Sequence, residues 1–294
     1  MSGPAVEIFP SHASVVGDMA VRRALPRRGH RTVGAWCFAD HMGPITTGAG
    51  GGGIGPHPHI GLQTVTWLVA GELLHRDSLG SERSIRPGQL NLMTAGHGIA
   101  HAEEGTRPHQ PLHRIQLWVA QPEATRHGPP AFEHHADLPE VAVGGATATV
   151  LVGELAGAAS PARRDTDHVG AELRLPAGAS TTLPIRAIHE HALIALEGSV
   201  LVDGVAVEPG SLSYLGPGRD ALALSAGARG PAARVMLLGG VPFPDEVFMW
   251  WNYVGRSAQE VAAAHRSWQG DDGRFGAVPS KLDRITGPSA PSWP

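Results

Sequence analysis

One cysteine, Cys37, is the whole thiol complement of this 294-residue chain. No disulfide framework can hold such a chain, and a reducing compartment is expected. Its neighbours Trp36 and Phe38 are apolar, which marks a buried thiol and not a nucleophile. A secretory h-region is missing from the opening MSGPAVEIFP, which carries a glutamate and a proline instead. A membrane span is missing too: Met42 to Gly71 holds no Asp, Glu, Lys or Arg, but its glycines and histidines exclude a bilayer helix. Nor does one sign of charge dominate. The 23 basic and 27 acidic residues leave a formal charge of -4, and the short basic cluster Arg22 to Arg31 reads as a solvated loop. The expectation is a cytoplasmic protein that binds neither nucleic acid nor membrane. At 42% hydrophobic and 17% charged, it is globular, with length for one large or two ordinary domains.

Long stretches at helical spacing are scarce as well. The 39 glycines and 25 prolines are spread along the chain, so short strands joined by tight turns are expected. LQTVTWLVAG, HRIQLWVAQ, ATVLVGEL, HALIALEGSVLVDGV and ARVMLLGG alternate with period two. One segment departs from this: in SAQEVAAAHRSW, Ser257 followed by Glu260 forms a capping box, and a short C-terminal helix is predicted. The fold class is mainly β, of sandwich or barrel type.

The chain repeats itself faintly. Pro87-Gly88 is followed by Gly96, and Pro209-Gly210 by Gly218; strands ending at Gly71 and Gly198 precede them. Two similar barrels in tandem follow, residues 1–135 and 136–294, with the crossing near QPEATRHGPPAFEHHADLPEV and the helix closing the second.

His57 and His59 stand at i, i+2 at the mouth of an alternating run, and so project from one strand face. His101 and Glu103 repeat that spacing within TAGHGIAHAEEG. Folding the barrel can aim both pairs at one point, and three imidazoles with one carboxylate suit Fe(II) or another first-row divalent ion. Without thiolates, a structural zinc site is disfavoured. Ten of the 17 histidines fall between His57 and His135, so clustering alone is weak; the doubled spacing beside paired glycine turns is the signal. The second repeat is the control: equal offsets from Gly198 and Gly218 reach Pro184, Arg186, Ala223 and Ser225. None is a good ligand, so one metal per chain is expected. His189 and His191 read as semi-exposed strand residues.

FADHMGP, PHPHIGLQTVTWLVAGELLHRDSLGS, RPGQLNLMTAGHGIAHAEE and MWWNYVGRS together resemble the pirin family of the cupin superfamily. The resemblance covers most of the chain. It implies a bicupin whose N-terminal barrel binds iron through His57, His59, His101 and Glu103. It further implies quercetinase activity, the O2-dependent opening of flavonol rings, while other members look like regulators that bind protein partners. Two departures stand out: Gln63 replaces a glutamate common four residues after the second histidine, and His97 replaces the arginine of a GRG turn.

The leading expectation is therefore a pirin-type dioxygenase acting on a flavonol-like aromatic and O2. Glu103 would be both ligand and general base, in an apolar barrel drawn from residues such as Val65, Trp67, Leu92 and Met93. The alternative is a metal-bound redox-sensing regulator acting through a protein partner. A sugar isomerase lacks a phosphate-binding set of Lys and Arg. Among smaller features, GAGGGGIG lacks a following Lys-Ser/Thr and reads as a flexible lip, not a phosphate loop. His75 and Asp77 share a strand face and are placed either toward the pocket or in a turn. Trp250 and Trp251 read as packing anchors for the helix.

Overall fold

The computed structural model describes residues 5–17 and 19–291, mostly in strands and turns. Two compact units emerge, and neither is continuous in sequence. One comprises Val15–Val21, Met42–His134 and Pro244–Pro294; the other comprises Met1–Ser14, Arg22–His41 and His135–Phe243. The chain does pass between units at His134 and His135, close to the expected cut. However, the segments 1–14, 22–41 and 244–294 lie in the opposite unit from the one that a single cut at 135/136 assigns them.

In the first unit a four-stranded sheet runs in the order Ile54–His59, Ile99–Gly105, Leu73–Asp77, Glu82–Ile85. A second sheet places Ala131–His135, Leu90–Thr94, Leu62–Ala70 and Pro111–Ala120 side by side. Period-two alternation builds these strands. Val65 stands opposite both Leu92 and Leu117, and Thr64 opposite both Met93 and Trp118, so the apolar and the mixed residues sort onto opposite faces. The Gly48–Gly55 loop is only half a lip. Gly48 to Gly50 are exposed, but Gly55 packs so closely that a Cβ would lie 2.0 Å from the Asp283 carbonyl oxygen.

The other unit repeats the plan. Its four-stranded sheet runs Ser180–Pro184, Ala221–Ala226, Val200–Val202, Val205–Val207. Its larger sheet centres on Glu190–Glu197, Ala233–Gly240 and His168–Leu175, over a core that includes Leu173, Leu193, Val235 and Leu237.

The predicted helix is present as Ala258–Gly270. The Ser257 side chain accepts from the Glu260 N–H at the N-cap, and Asp271 closes the C-terminus in a left-handed conformation. It was expected to end the second barrel, but it belongs to the first unit. Val261, Ala264 and Trp268 pack with Ile60, Ala100, Tyr253 and Phe275 in one buried cluster. The Val254 N–H donates to the Ile60 carbonyl at 3.1 Å, stitching the preceding segment to the same barrel. Trp250 and Trp251 pack against that cluster as anchors. No helix among the described residues is long and apolar enough to cross a membrane.

Candidate metal centre

His57 and His101 face each other across the first two strands of the four-stranded sheet, with His59 opposite Ile99. The i, i+2 spacing and this register place three imidazoles together, with ligand nitrogens all within 4.8 Å of one another. Ring centroids are 4.4 Å apart for His57 and His101, and 5.0 Å for each of the other two pairs. All three are buried. Among the described residues this is the only such group.

Each ring is oriented from behind. His57 Nδ1 lies 2.8 Å from the Gly55 carbonyl oxygen, and His59 Nδ1 2.9 Å from that of Asn252. A carbonyl only accepts, so Nδ1 carries the proton in both rings, and Nε2 keeps its lone pair for a ligand. His59 Nε2 and His101 Nε2 approach to 3.1 Å. Behind His101, its Nδ1 lies 3.5 Å from His75 Nδ1, and His75 Nε2 lies 3.0 Å from Asp77 Oδ2. Burial pushes all three imidazoles below the usual histidine range, and neighbouring imidazoles push His59 and His101 further down. The rings are therefore neutral donors, the form a metal requires.

Glu103 falls outside the group of mutually close ligand atoms, yet its charge acts on His57. Its carboxylate accepts from the Arg114 guanidinium and, at 3.1 Å, from the Thr66 hydroxyl. Burial works to raise its pKa, but the charge and hydrogen bond of Arg114 prevail and hold it below the usual carboxylate range. Arg114 and Thr66 escaped the sequence reading. A signal existed: in HRIQLWVAQ, Arg114, Gln116 and Trp118 share one alternating face, where two polar residues interrupt an apolar strand. Trp118 sets its indole edge-on to His59, with centroids 5.2 Å apart.

The lining differs from the expected one. Thr66 reaches Glu103, so Thr64, Thr66, Met93 and Trp118 occupy the site-facing side. Val65, Trp67 and Leu92 turn to the opposite face, and only Met93 of the four expected residues remains. Gln63 is fully buried and donates to Thr94 Oγ1 at 3.0 Å. His97 is exposed, with Nδ1 3.0 Å from the Gly128 carbonyl oxygen.

In the other unit, Thr182 faces Ala223 where His57 faces His101 here. The glycine offset, which equated His57 with Pro184, thus slips by two residues; no histidine or carboxylate stands at either position. His189 and His191 are buried, not semi-exposed, because they lie on the inward face that continues into the core residues Leu193 and Ala195. They border a cavity of about 340 Å³ with Arg164, Arg186 and Leu155.

The Pirin profile matches residues 18–119, and that of the Pirin C-terminal cupin domain matches residues 170–276. A Pseudomonas aeruginosa protein provisionally named as a quercetin 2,3-dioxygenase is 48% identical over 285 residues, covering 96% of this chain and 88% of that protein. The crystal structure of quercetin 2,3-dioxygenase from Acinetobacter baumannii has a TM-score of 0.93 at 40% identity, covering 98% of this chain and 96% of that one. A bacterial pirin from Escherichia coli, crystallised in complex with nickel(II), has a TM-score of 0.64 at 19% identity, covering 81% of this chain and 100% of that one. That last likeness is one of fold alone.

Proposed function

The chain belongs to the pirin family, and from that premise we propose that it is a metal-dependent, quercetinase-like dioxygenase that opens the ring of a flavonol such as quercetin with O2. The observation that carries this reading is the convergence of three buried, neutral imidazoles, each ring held by an acceptor or a partner ring behind it. The named activities of the Pseudomonas and Acinetobacter relatives support it. The donor chemistry fits one divalent first-row ion per chain, and Fe(II) is the ion we assign. The single cysteine suits the cytoplasm.

Bound there, Fe(II) supplies a Lewis acid toward the flavonol oxygens and a source of electron density for O2. The chain's own residues do the rest. We assign Glu103 as the fourth ligand and as acceptor of the flavonol 3-hydroxyl proton. Arg114 keeps that carboxylate anionic, the form able to take a proton. Trp118 and Met93, on the site-facing side, give an aromatic ligand an apolar wall and keep water away. Both atoms of O2 enter the opened product, and carbon monoxide leaves.

Two measurements test this. Elemental analysis of purified protein is expected to give one iron per chain, and oxygen uptake is expected with at least one member of a flavonol panel. In Glu103→Gln, iron still binds at saturating concentration while turnover falls by ~100-fold or more, the usual scale for losing a positioned base. Iron-loaded wild type that is inert toward every flavonol would overturn the enzyme reading. Undiminished turnover in Glu103→Gln would remove Glu103 from its role as base.

A further inference from the structure

Asp77 lies directly across the strand pair from His101, and His75 across from Glu103. Asp77 is fully buried, and its Oδ1 accepts from the Leu79 N–H at 2.9 Å and the Ser81 N–H at 3.0 Å. Those two bonds fix the carboxylate, and its other oxygen, Oδ2, meets His75 Nε2 at 3.0 Å. The His75 ring is stacked on Phe132 at 4.3 Å and 11°, and its Nδ1 meets His101 Nδ1 at 3.5 Å.

With one proton on each ring, one arrangement of protons satisfies this row. Asp77 Oδ2 is an acceptor, so His75 Nε2 carries the proton of its neutral ring. His75 Nδ1 then offers a lone pair, and His101 Nδ1 must donate to it. With its proton on Nδ1, His101 has its lone pair on Nε2, the nitrogen that faces His59. We propose that Asp77 and His75 are positioning residues that fix the tautomer and ring orientation of His101, and so set the metal affinity of the site. The two backbone N–H groups on Asp77 Oδ1 are the fixed origin of this order; each later proton follows from them. The proposal rests on the reading of His57, His59 and His101 as metal ligands.

The row also makes an unusual demand on substitutions. In Asp77→Asn the amide oxygen must stay at the Leu79 and Ser81 N–H groups, so the NH2 turns toward His75 Nε2. His75 then has to accept there and carry its proton on Nδ1, where it confronts the Nδ1 proton of His101. The clash is with the tautomer that metal binding requires. Removing the His75 ring removes the clash, and His75→Phe keeps the stacking on Phe132.

The test uses the full chain and Zn(II) as the probe, with affinity measured by competition against a chromophoric chelator. Asp77→Asn is expected to bind Zn(II) about 10- to 100-fold more weakly than wild type, the usual cost of disturbing an outer hydrogen-bond partner. His75→Phe is expected to lose less, and the double variant to bind more tightly than Asp77→Asn alone. A merely structural role makes the double variant at least as weak as the single one, and that result overturns the proposal. Nitrogen-15 shifts of the Zn(II)-loaded wild type give a readout that needs no variant to fold: His101 Nδ1 is expected to be protonated. An unprotonated His101 Nδ1 in a protein that does bind Zn(II) sinks this inference and leaves the ligand assignment standing. A wild type that binds no Zn(II) and no iron overturns both.

Discussion

Replacing Arg114 with methionine puts the buried counter-ion of Glu103 to the test. Arg114 is 2% exposed and Glu103 4%, so the ion pair between them is almost wholly out of water. Methionine keeps the stem of the side chain and deletes the charge. Removing one partner of a buried pair costs about 3–5 kcal/mol, because the remaining carboxylate stays buried without compensation. A domain of this size loses roughly 2–4 °C of Tm per kcal/mol, so the metal-free variant is expected to melt about 6–20 °C lower by calorimetry. The sign with pH follows from the same pair. In wild type Glu103 is held below the usual carboxylate range; its contribution is present above the unfolded pKa and is lost as pH falls through the lowered one. In Arg114→Met burial, which raises the pKa, is no longer offset by the guanidinium, while the Thr66 hydroxyl bond stays; the deficit is therefore greatest at neutral pH and shrinks as the carboxyl protonates on acidification. Adding Glu103→Leu to Arg114→Met removes the orphaned charge and is expected to recover most of the loss. A single variant within 2 °C of wild type, or a double variant below the single one, would refute the reasoning.

Two further outcomes follow. The second unit holds His168 and His191 with pKa lowered to about 4, chiefly by burial. The unfolded chain then binds more protons between pH 4 and the ordinary histidine value near 6.5. Stability rises with pH across that window by up to about 1.4 kcal/mol per pH unit per group, and a Tm unchanged between pH 4.5 and 7 would contradict it. In the first unit, Gly61 has φ +65° and leaves a Cβ only 2.1 Å from the Val254 carbonyl oxygen. Gly61→Ala adds about 1–2 kcal/mol of left-handed strain to that clash and displaces the segment that orients His59 through Asn252. Both Tm and Zn(II) affinity are therefore expected to fall, and a variant that loses neither would show that the segment yields without cost.

The barrel plan and the histidine trio were legible in the sequence because both depend on short-range geometry. A period of two decides which residues share a face, and i, i+2 imidazoles at a strand end need only one cross-strand neighbour to make a site. What was not legible depends on partners far along the chain. Ser257 and Glu260 announce a helix, but nothing local says that Val261 and Trp268 will bury themselves beside Ile60 and Ala100. The same holds for the ends of the chain: turns mark where strands stop, not which sheet edge a strand joins. Arg114 shows a third case. Its charge sits on a face that also carries Gln116 and Trp118, and only its side-chain contact with Glu103, on a strand of the other sheet, turns an apparent blemish in a strand into the counter-ion of a buried carboxylate.

The contrast between the two barrels locates the chemistry in a few register positions. Both lay their four-stranded sheets in the same order, and both carry a pair of histidines at i, i+2. In the first, the pair lies on Ile54–His59 and its cross-strand neighbour is His101, which closes the trio. In the second, His189 precedes and His191 lies within the strand Glu190–Glu197 of the larger sheet, where His191 faces Leu215 on one side and Gly239 on the other. Neither can ligate. A side chain cannot simply be added at Gly239, since a Cβ there would lie 2.7 Å from the His191 ring carbon Cδ2. Asp167 Oδ1 lies 3.4 Å from His189 Nε2, but among the described residues only His57, His59 and His101 bring three ligand atoms within 4.8 Å of one another. The cross-strand neighbour, and not the histidine pair itself, therefore decides which of two like barrels can hold a metal.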